Sequence, residues 1–401
     1  MIIDRIDSTI EILSDRVIKT FNAKKFDDDR YYQRKGSLFF LRKHKSDFFI
    51  EIKDILIEDK GYVMERFGHS LGEDSGFCLN RLFDVNIPSL ILWLKGLKEE
   101  LIKLNLLHRD IHPANILSTG NNFKLIDFAW MTNRDDMNIL KYDGCLNNTY
   151  TIIDDTAIEK MILFLEEYMI KLKENIDYVK KEFITKVGTN GYKDGSSLGP
   201  DWLYEYLPFY GFEDVKVNKG SCVNEYKIIE NYIYDNITDL DSLIDIGCSN
   251  GYFLFKFSSL FKKVIGIESD ETVYNLISVL KGLYEFNNVE LFLGNFNEEH
   301  IKENFDVMLM MNTHMWMHKQ MGDVVLMDLM KECAKKTKHL FFQTAHAESG
   351  GMYKVDSLKN LEDIISYLIE CGFTDIQKIN TSSEHGGIRY LIYAKGIKNE
   401  I

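Results

Sequence analysis

Domains usually run to about 100–200 residues, so a chain of 401 residues has room for two or three. It is 45% hydrophobic and 27% charged, which excludes wholesale disorder, and no apolar run approaches the roughly 18 residues a membrane span needs. The 62 acidic against 48 basic residues leave a net charge of −14, which argues against nucleic acid as a partner.

Residues 1–15 lack the apolar core of a secretory signal, and the six cysteines stand far apart with no Cys-x-x-Cys pair. The expectation is a cytoplasmic protein with free thiols. Ser8–Leu13 and Arg16–Phe21 alternate as strands do, Arg30–Lys43 has helical spacing, and Gly61–Phe67 is again strand-like. Helical periodicity follows over Ile87–Leu106 and Asp155–Lys173, with short apolar runs and polar turns between them. The small-residue stretch Gly188–Pro200 cannot supply a core and is expected as the joint. Beyond it Asn224–Asn236 reads as a helix. Leu243–Ile246, Val264–Ile267, Val289–Leu293, Phe305–Met311, His339–Gln343 and Ile388–Ala394 read as strands. Helical patterns over Tyr252–Phe261, Glu271–Phe286, Asp323–Lys335 and Leu358–Cys371 alternate with them, which predicts a largely parallel, doubly wound sheet.

The first half holds Leu107-His108-Arg109-Asp110-Ile111-His112-Pro113-Ala114-Asn115, then Leu125-Ile126-Asp127-Phe128-Ala129. Phosphoryl transfer needs a carboxylate beside the acceptor hydroxyl and oxygen ligands for Mg²⁺ bridging the ATP phosphates. Asp110 fits the first task, as the catalytic group. Asn115, five residues on, and Asp127 fit the second, as metal ligands. This spacing resembles the protein-kinase-like fold over roughly residues 8–175. The resemblance implies that Lys19, in Val17-Ile18-Lys19, holds the ATP α/β-phosphates, and that Glu65, in Tyr62–Arg66, lies at the hinge beside adenine. A solvated strand lysine is the alternative for Lys19. His108 is expected to brace the loop, and His112 to be a hydrogen-bonded structural histidine.

Three departures bear on activity. Residues 4–16 contain no glycine, so no Gly-rich phosphate lid is visible. No helix glutamate is evident to pair with Lys19; Arg34 and Lys35 sit in its place, with Glu51 as a substitute. The third motif reads Asp-Phe-Ala. His112-Pro113 after the catalytic aspartate resembles small-molecule kinases, and no Ala-Pro-Glu follows Asp127. A glycan or small-molecule hydroxyl is therefore the expected acceptor.

The second half holds Leu243-Ile244-Asp245-Ile246-Gly247-Cys248-Ser249-Asn250-Gly251 on a strand–turn–helix. Gly247 and Gly251 let the backbone turn tightly against a ligand. Glu268 stands 23 residues after Asp245, near the ~20 expected of an acid that binds ribose hydroxyls. The Asp-x-Gly-x-x-x-Gly pattern resembles class I S-adenosylmethionine-dependent methyltransferases, over roughly residues 200–396. An acidic Asp245 suits a cationic aminoacyl group and would oppose a diphosphate. The resemblance implies that Glu268 takes the ribose hydroxyls, and that Asn295 and Phe296 read and flank the adenine. His314 is the candidate base, with His318 in reserve; both also read as helix-cap or core histidines. The aromatic run Trp202–Phe212 reads as a lid or as a packing stripe.

The expected architecture is an α+β kinase-like bilobal domain over residues 1–180, a linker over 181–200, and an α/β Rossmann-like methyltransferase domain with a mostly parallel seven-stranded sheet over 201–401. The implied cofactors are S-adenosylmethionine, ATP and Mg²⁺. The pairing is similar in chemistry to bifunctional kinase–methyltransferases that terminate O-antigen polysaccharides, with the order of the two halves reversed. The alternatives are a methyltransferase with a nucleotide-binding pseudokinase, a regulatory binding module, and a nucleic-acid methyltransferase.

Overall fold

The structure is a computed structural model. It describes the chain apart from residues 1, 5–7, 22–36, 57–59, 74–75, 129–130, 136–153, 191–201, 220–221, 239, 347–354, 356, 385–386 and 397–401. The fold is mixed α/β with several separate sheets. It divides into two compact units, Met1–Asp177 with Phe209–Phe212 and Tyr234–Thr238, and Tyr178–Pro208 with Glu213–Ile233 and Asp239–Ile401. Among the described residues, no helix is long and apolar enough to cross a membrane.

In the first unit, five antiparallel strands lie in the order Ile2–Asp4, Ser8–Ile12, Arg16–Phe21, Gly61–Glu65, Ile52–Leu56. Side chains alternate faces along a strand, so Lys19 shares a face with the buried Val17 and Phe21. The helix expected over Arg30–Lys43 is described only over residues 37–43. Ile87–Lys103 forms a helix whose Asn86 side chain caps the Ser89 amide at 3.0 Å. It buries Ile87, Leu90, Ile91, Leu94, Leu97 and Leu101, the stripe that 3.6-residue periodicity requires. A left-handed Asn105 at φ +56° turns the chain just past its end. The short strands Ile116–Ser118 and Phe123–Leu125 then form a hairpin that carries the loop before it and Asp127 after it.

The next helix runs further than its apolar pattern suggests, from Asp154 to Val179 and through a π-helical turn, Lys180–Ile184, into Thr185–Asn190. The 181–200 segment expected as linker is therefore helical as far as Asn190. Val179, Ile184 and Val187 are buried there, and that packing overrides the low propensity of Gly188.

The sheet of the second unit has seven strands, in the order Val289–Leu293, Lys263–Glu268, Ser242–Ile246, Phe305–Met311, Thr337–Gln343, Gly387–Lys395, Thr374–Glu384. The first five are parallel, and the last two join antiparallel. Ser242–Ile246 sits in the middle and is buried along most of its length, as a run without alternation demands. Thr374–Glu384 carries no strong apolar alternation, and the sequence reading leaves it unassigned. It forms an edge by pairing with Gly387–Lys395, which lies inside it. The aromatic run expected as a lid or stripe instead begins as a strand, Trp202–Glu205, in parallel pairing with Lys216–Lys219.

Candidate functional sites

In the first unit the hairpin brings the two motifs together. The Ile126 amide donates to the Asn115 carbonyl at 2.9 Å, which sets Asp127 beside Asn115. Asn115 Nδ2 lies 2.9 Å from the Asp110 carbonyl, 3.0 Å from Asp110 Oδ2 and 2.9 Å from His112 Nε2. Its amide nitrogen is thus turned toward Asp110 and His112, while the Asn115 side chain is buried. Arg109 at φ +69° and Asp127 at φ +60° both hold left-handed backbone, a strain that recurs at functional loops.

Lys19 reaches across from the sheet, and its Nζ lies 3.3 Å from Asp127 Oδ2. The lysine side chain is only 11% exposed and packs over the Phe21 ring at 5.5 Å, so the solvated-lysine alternative does not hold. Glu51 does not act as the substitute partner. It pairs with Lys45 at 3.3 Å, and its backbone bonds to Glu65. Arg34, Lys35 and Ala129 lie outside the described residues. Glu65 is itself committed, its amide to the Glu51 carbonyl and its Oε1 to the Glu51 amide, both at 3.0 Å.

Bracing comes from two buried groups. His108 is fully enclosed, and its Nε2–H donates to the Ile126 carbonyl at 3.0 Å. Burial lowers its pKa, more than offsetting Asp154, Asp110 and Asp127, so the ring is neutral. Asp154 is the residue the sequence reading misses. Its carboxylate accepts the backbone amides of His108 at 2.5 Å and Arg109 at 2.9 Å. It lies 45 residues beyond Arg109 at the start of its own helix, where spacing gives no hint of the partnership.

The oxygen set offered here is one amide and one carboxylate, with Asp110 alongside. Among the described residues no three His, Cys, Asp or Glu side chains cluster as a metal site. Such a set suits Mg²⁺, which commonly takes one or two protein oxygens and completes its shell from phosphates and water.

In the second unit the chain leaves Ser242–Ile246 through a tight turn into the helix Tyr252–Phe257. Gly247 at φ +71° and Gly251 at φ +79° both need left-handed backbone. A Cβ on Gly247 would come within 2.4 Å of Thr313 Oγ1, and that hydroxyl donates to the Ile246 carbonyl at 2.7 Å. The turn is therefore pinned to the end of the Phe305–Met311 strand.

Acids converge on this turn. Asp245 is buried at 2% exposure, and its Oδ2 has no hydrogen-bond partner. Burial raises its carboxyl well above the ordinary range, and the charges of Glu205 and Glu268 raise it further. Cys248, within the turn, is pushed up by burial and by Asp245, Glu268 and Glu205 in that order. Glu268 Oε2 accepts the Ser249 amide at 2.9 Å and its Oε1 the Asp270 amide at 2.8 Å. Burial raises the Glu268 carboxyl, and those amides partly oppose the shift. Glu205 is a second residue the sequence reading misses, being one acid inside an aromatic run. Asn295 is exposed. Phe296 is buried in the core and stacks on His300 at 6.0 Å, so the structure puts it in packing contact with that ring.

His314 lies at the start of the helix after Phe305–Met311 and is 1% exposed. Its Nε2 is 2.9 Å from the Tyr367 hydroxyl and its Nδ1 3.4 Å from Thr344 Oγ1. Burial, with a smaller push from His318, takes its pKa down to about 3. His318 Nε2 pairs with Asp323 Oδ1 at 2.6 Å.

No family model matches the chain, and no curated protein sequence matches it. Among solved structures, the N-terminal domain of EvdMO1 with SAH bound is similar at 12% identity and a TM-score of 0.38, over 49% of this chain and 92% of that one. WbdD is similar at 17% identity and a TM-score of 0.40, over 48% of this chain. A second WbdD structure, described as the bifunctional kinase-methyltransferase, is similar at 16% identity and a TM-score of 0.40, over 48% of this chain and 43% of that one. The chain spans 44% of the length of the first WbdD structure. Overlaps this loose fix neither a family nor a function.

Proposed function

We propose that the second unit is a class I S-adenosylmethionine-dependent methyltransferase, over residues 201–401, and that the first is a kinase-like phosphoryl transferase, over residues 1–180. The observation that carries the reading is Asp245 Oδ2. It is a buried carboxylate oxygen without a partner, with two further acids close enough to raise its pKa. A buried anion is costly unless a cation or a donor meets it. A ligand bearing an ammonium and a sulfonium satisfies that demand, and a diphosphate would worsen it. The donor supplies an electrophilic methyl group when bound. The chain's part is to hold it: Gly247 and Gly251 let the backbone approach, Asp245 faces the cationic tail, and Glu268 takes the ribose. Asn295 contacts the adenine edge, and Phe296 backs the ring from the core.

His314 is neutral near pH 7, but both its nitrogens are engaged. We assign it to positioning the acceptor end of the sheet, so that methyl transfer depends on alignment of donor and acceptor within about 3–3.5 Å. In the first unit, Asp110 orients the acceptor hydroxyl and takes its proton. Asn115 and Asp127 hold Mg²⁺, and Lys19 meets the ATP phosphates. The hinge contact with adenine falls just beyond Glu65, whose own amide is already used. The acceptor is a glycan or small-molecule hydroxyl, and methylation falls on the same or a neighbouring group.

A second reading, a nucleotide-binding pseudokinase beside an active methyltransferase, is favoured by one observation. The hairpin turn that stands where a phosphate lid would be has its Ser14 amide bonded to Asp235 at 2.8 Å and its Ser14 carbonyl to Arg66 at 3.2 Å. The test is incubation with radiolabelled ATP, Mg²⁺ and candidate glycans, beside methyl-labelled S-adenosylmethionine. Label from both donors supports the bifunctional reading. ATP binding without transfer selects the pseudokinase, and no affinity for S-adenosylmethionine or its demethylated product refutes the methyltransferase.

A further inference from the structure

Of the two side chains proposed to hold Mg²⁺, Asn115 is an amide, and an amide has two unlike ends. Its oxygen can bind the metal, whereas its nitrogen carries two N–H donors and cannot. Which end is offered to the metal is decided by what holds the other.

The loop holds the nitrogen. Asn115 Nδ2 lies 2.9 Å from the Asp110 carbonyl, 3.0 Å from Asp110 Oδ2 and 2.9 Å from His112 Nε2. The first two are oxygens that accept. A reversed amide would set its own oxygen against both of them, so the nitrogen belongs there. The contact with His112 then has one sense. Nδ2 donates, His112 Nε2 accepts, and the ring carries its proton on Nδ1. Asp110 Oδ1 stands 3.5 Å from Nε2, beyond the roughly 2.7–3.2 Å of a sound N–H···O bond, so it makes no rival claim on that nitrogen. The histidine is 4% exposed, and its carbonyl accepts the Asn115 amide at 2.9 Å, which ties the two residues into one turn.

Two N–H donors thus share three acceptors, and the acceptors are not equivalent. Asp110 Oδ2 belongs to the carboxylate proposed to take the substrate proton, and a protonated carboxyl has less capacity to accept. His112 Nε2 has no part in that transfer.

We propose that His112 is a positioning residue: by accepting from Asn115 Nδ2 it keeps the amide turned so that Asn115 Oδ1 is the atom offered to the metal. This rests on the phosphoryl-transferase reading of the first unit and adds one residue to it. The task requires an acceptor at Nε2. A lysine or arginine would bring only donors, and an apolar side chain would bring nothing.

The test uses the full chain, a non-hydrolysable ATP analogue, and Mn²⁺ in place of Mg²⁺, because electron paramagnetic resonance reads Mn²⁺ binding directly. His112→Leu should weaken Mn²⁺ about 10–100-fold in the presence of the analogue, the usual loss when a group that orients a metal ligand is removed. Its affinity for the metal-free analogue should be unchanged. His112→Gln, which can place an acceptor oxygen where Nε2 stood, should recover most of the loss. Asn115→Asp has oxygen at both ends of the side chain, so adding His112→Leu to it should cost no further Mn²⁺ affinity. The same loss in both backgrounds means a histidine that only packs, and overturns the proposal, as does wild-type Mn²⁺ affinity in His112→Leu. One measurement needs no leucine variant to fold. Nitrogen magnetic resonance of labelled imidazoles, with the His112 signal identified by its absence in His112→Gln, should show the proton on Nδ1. A proton on Nε2 overturns the assignment. Wild type that binds the analogue without Mn²⁺ keeps the nucleotide reading and removes this inference. Wild type that binds neither removes the phosphoryl-transferase reading, and this inference with it.

Discussion

Lys19 Nζ lies 3.3 Å from Asp127 Oδ2, although 108 residues separate the two in sequence. A lysine on the buried face of a sheet needs an anion, and the one it meets is the acid proposed to carry Mg²⁺. Removing the charge should weaken the nucleotide site and spare the donor site. Lys19→Met is expected to reduce ATP affinity by about tenfold, the equivalent of one charged hydrogen bond, with S-adenosylhomocysteine affinity unchanged. Calorimetry with each ligand checks both halves, and unaltered ATP binding would remove Lys19 from the site.

Asp110 has a different signature. Its proposed work is done on the acceptor hydroxyl, so Asp110→Ala should leave ATP affinity near wild type and cut phosphoryl transfer by about 10²–10⁴-fold. The readout is transfer of labelled phosphate to an accepting glycan under saturating ATP. Undiminished transfer would refute the assignment.

Asp154 supports the loop on which Asp110 stands. Asp154→Ala leaves the buried amide of His108 and the half-buried amide of Arg109 without this acceptor, at about 1–3 kcal/mol for the buried one and less for the other. Thermal unfolding should shift down by several degrees, at roughly 2–4 °C per kcal/mol for a unit of this size. Transfer should fall even at temperatures where the variant is fully folded. A variant with unchanged melting would show that the two amides find other partners.

The sequence makes some of this legible. Asp110, Asn115 and Asp127 announce themselves because loop, turn and strand fix their spacing within 18 residues, and the hairpin Ile116–Ser118 with Phe123–Leu125 realises it. Asp245 to Gly251 is readable for the same reason, since strand, turn and helix are contiguous. Asp154 and Glu205 are not readable, because each reaches its partner across more than 40 residues of chain. The Thr374–Glu384 strand escapes because an edge with little apolar alternation resembles a loop until Gly387–Lys395 pairs with it. Burial decides the histidines, and burial is a property of packing.

That burial makes His314 testable through stability. Its folded pKa of about 3 lies below the ordinary 6.5, so the folded ring stays neutral where the unfolded one takes a proton. The stability it contributes is fully present above pH 6.5. It is lost as pH falls toward 3, at about 1.4 kcal/mol per pH unit from this group. His314→Gln, with no titrating ring, should flatten that part of the acid limb in urea unfolding between pH 6 and about 4. Unchanged slopes would mean that His314 is not held neutral. The same low pKa implies that methyl transfer shows no ionisation of His314 between about pH 5 and 8.

The donor site should respond to pH in a direction set by Asp245. Burial, then Glu205 and Glu268, raise its carboxyl in the free protein, so part of the population holds a proton there as pH falls. A cationic ligand stabilises the ionised form and must expel that proton on binding. Affinity for S-adenosylhomocysteine is therefore expected to rise with pH through the acid range and to level off above the raised pKa, with protons released into the buffer. Asp245→Asn carries no such proton, so its binding should be weaker and flat with pH. Calorimetry in buffers of different ionisation enthalpy reads the proton release directly. If wild type takes up protons on binding, or if Asp245→Asn keeps the same pH slope, a group other than Asp245 sets the charge of the site.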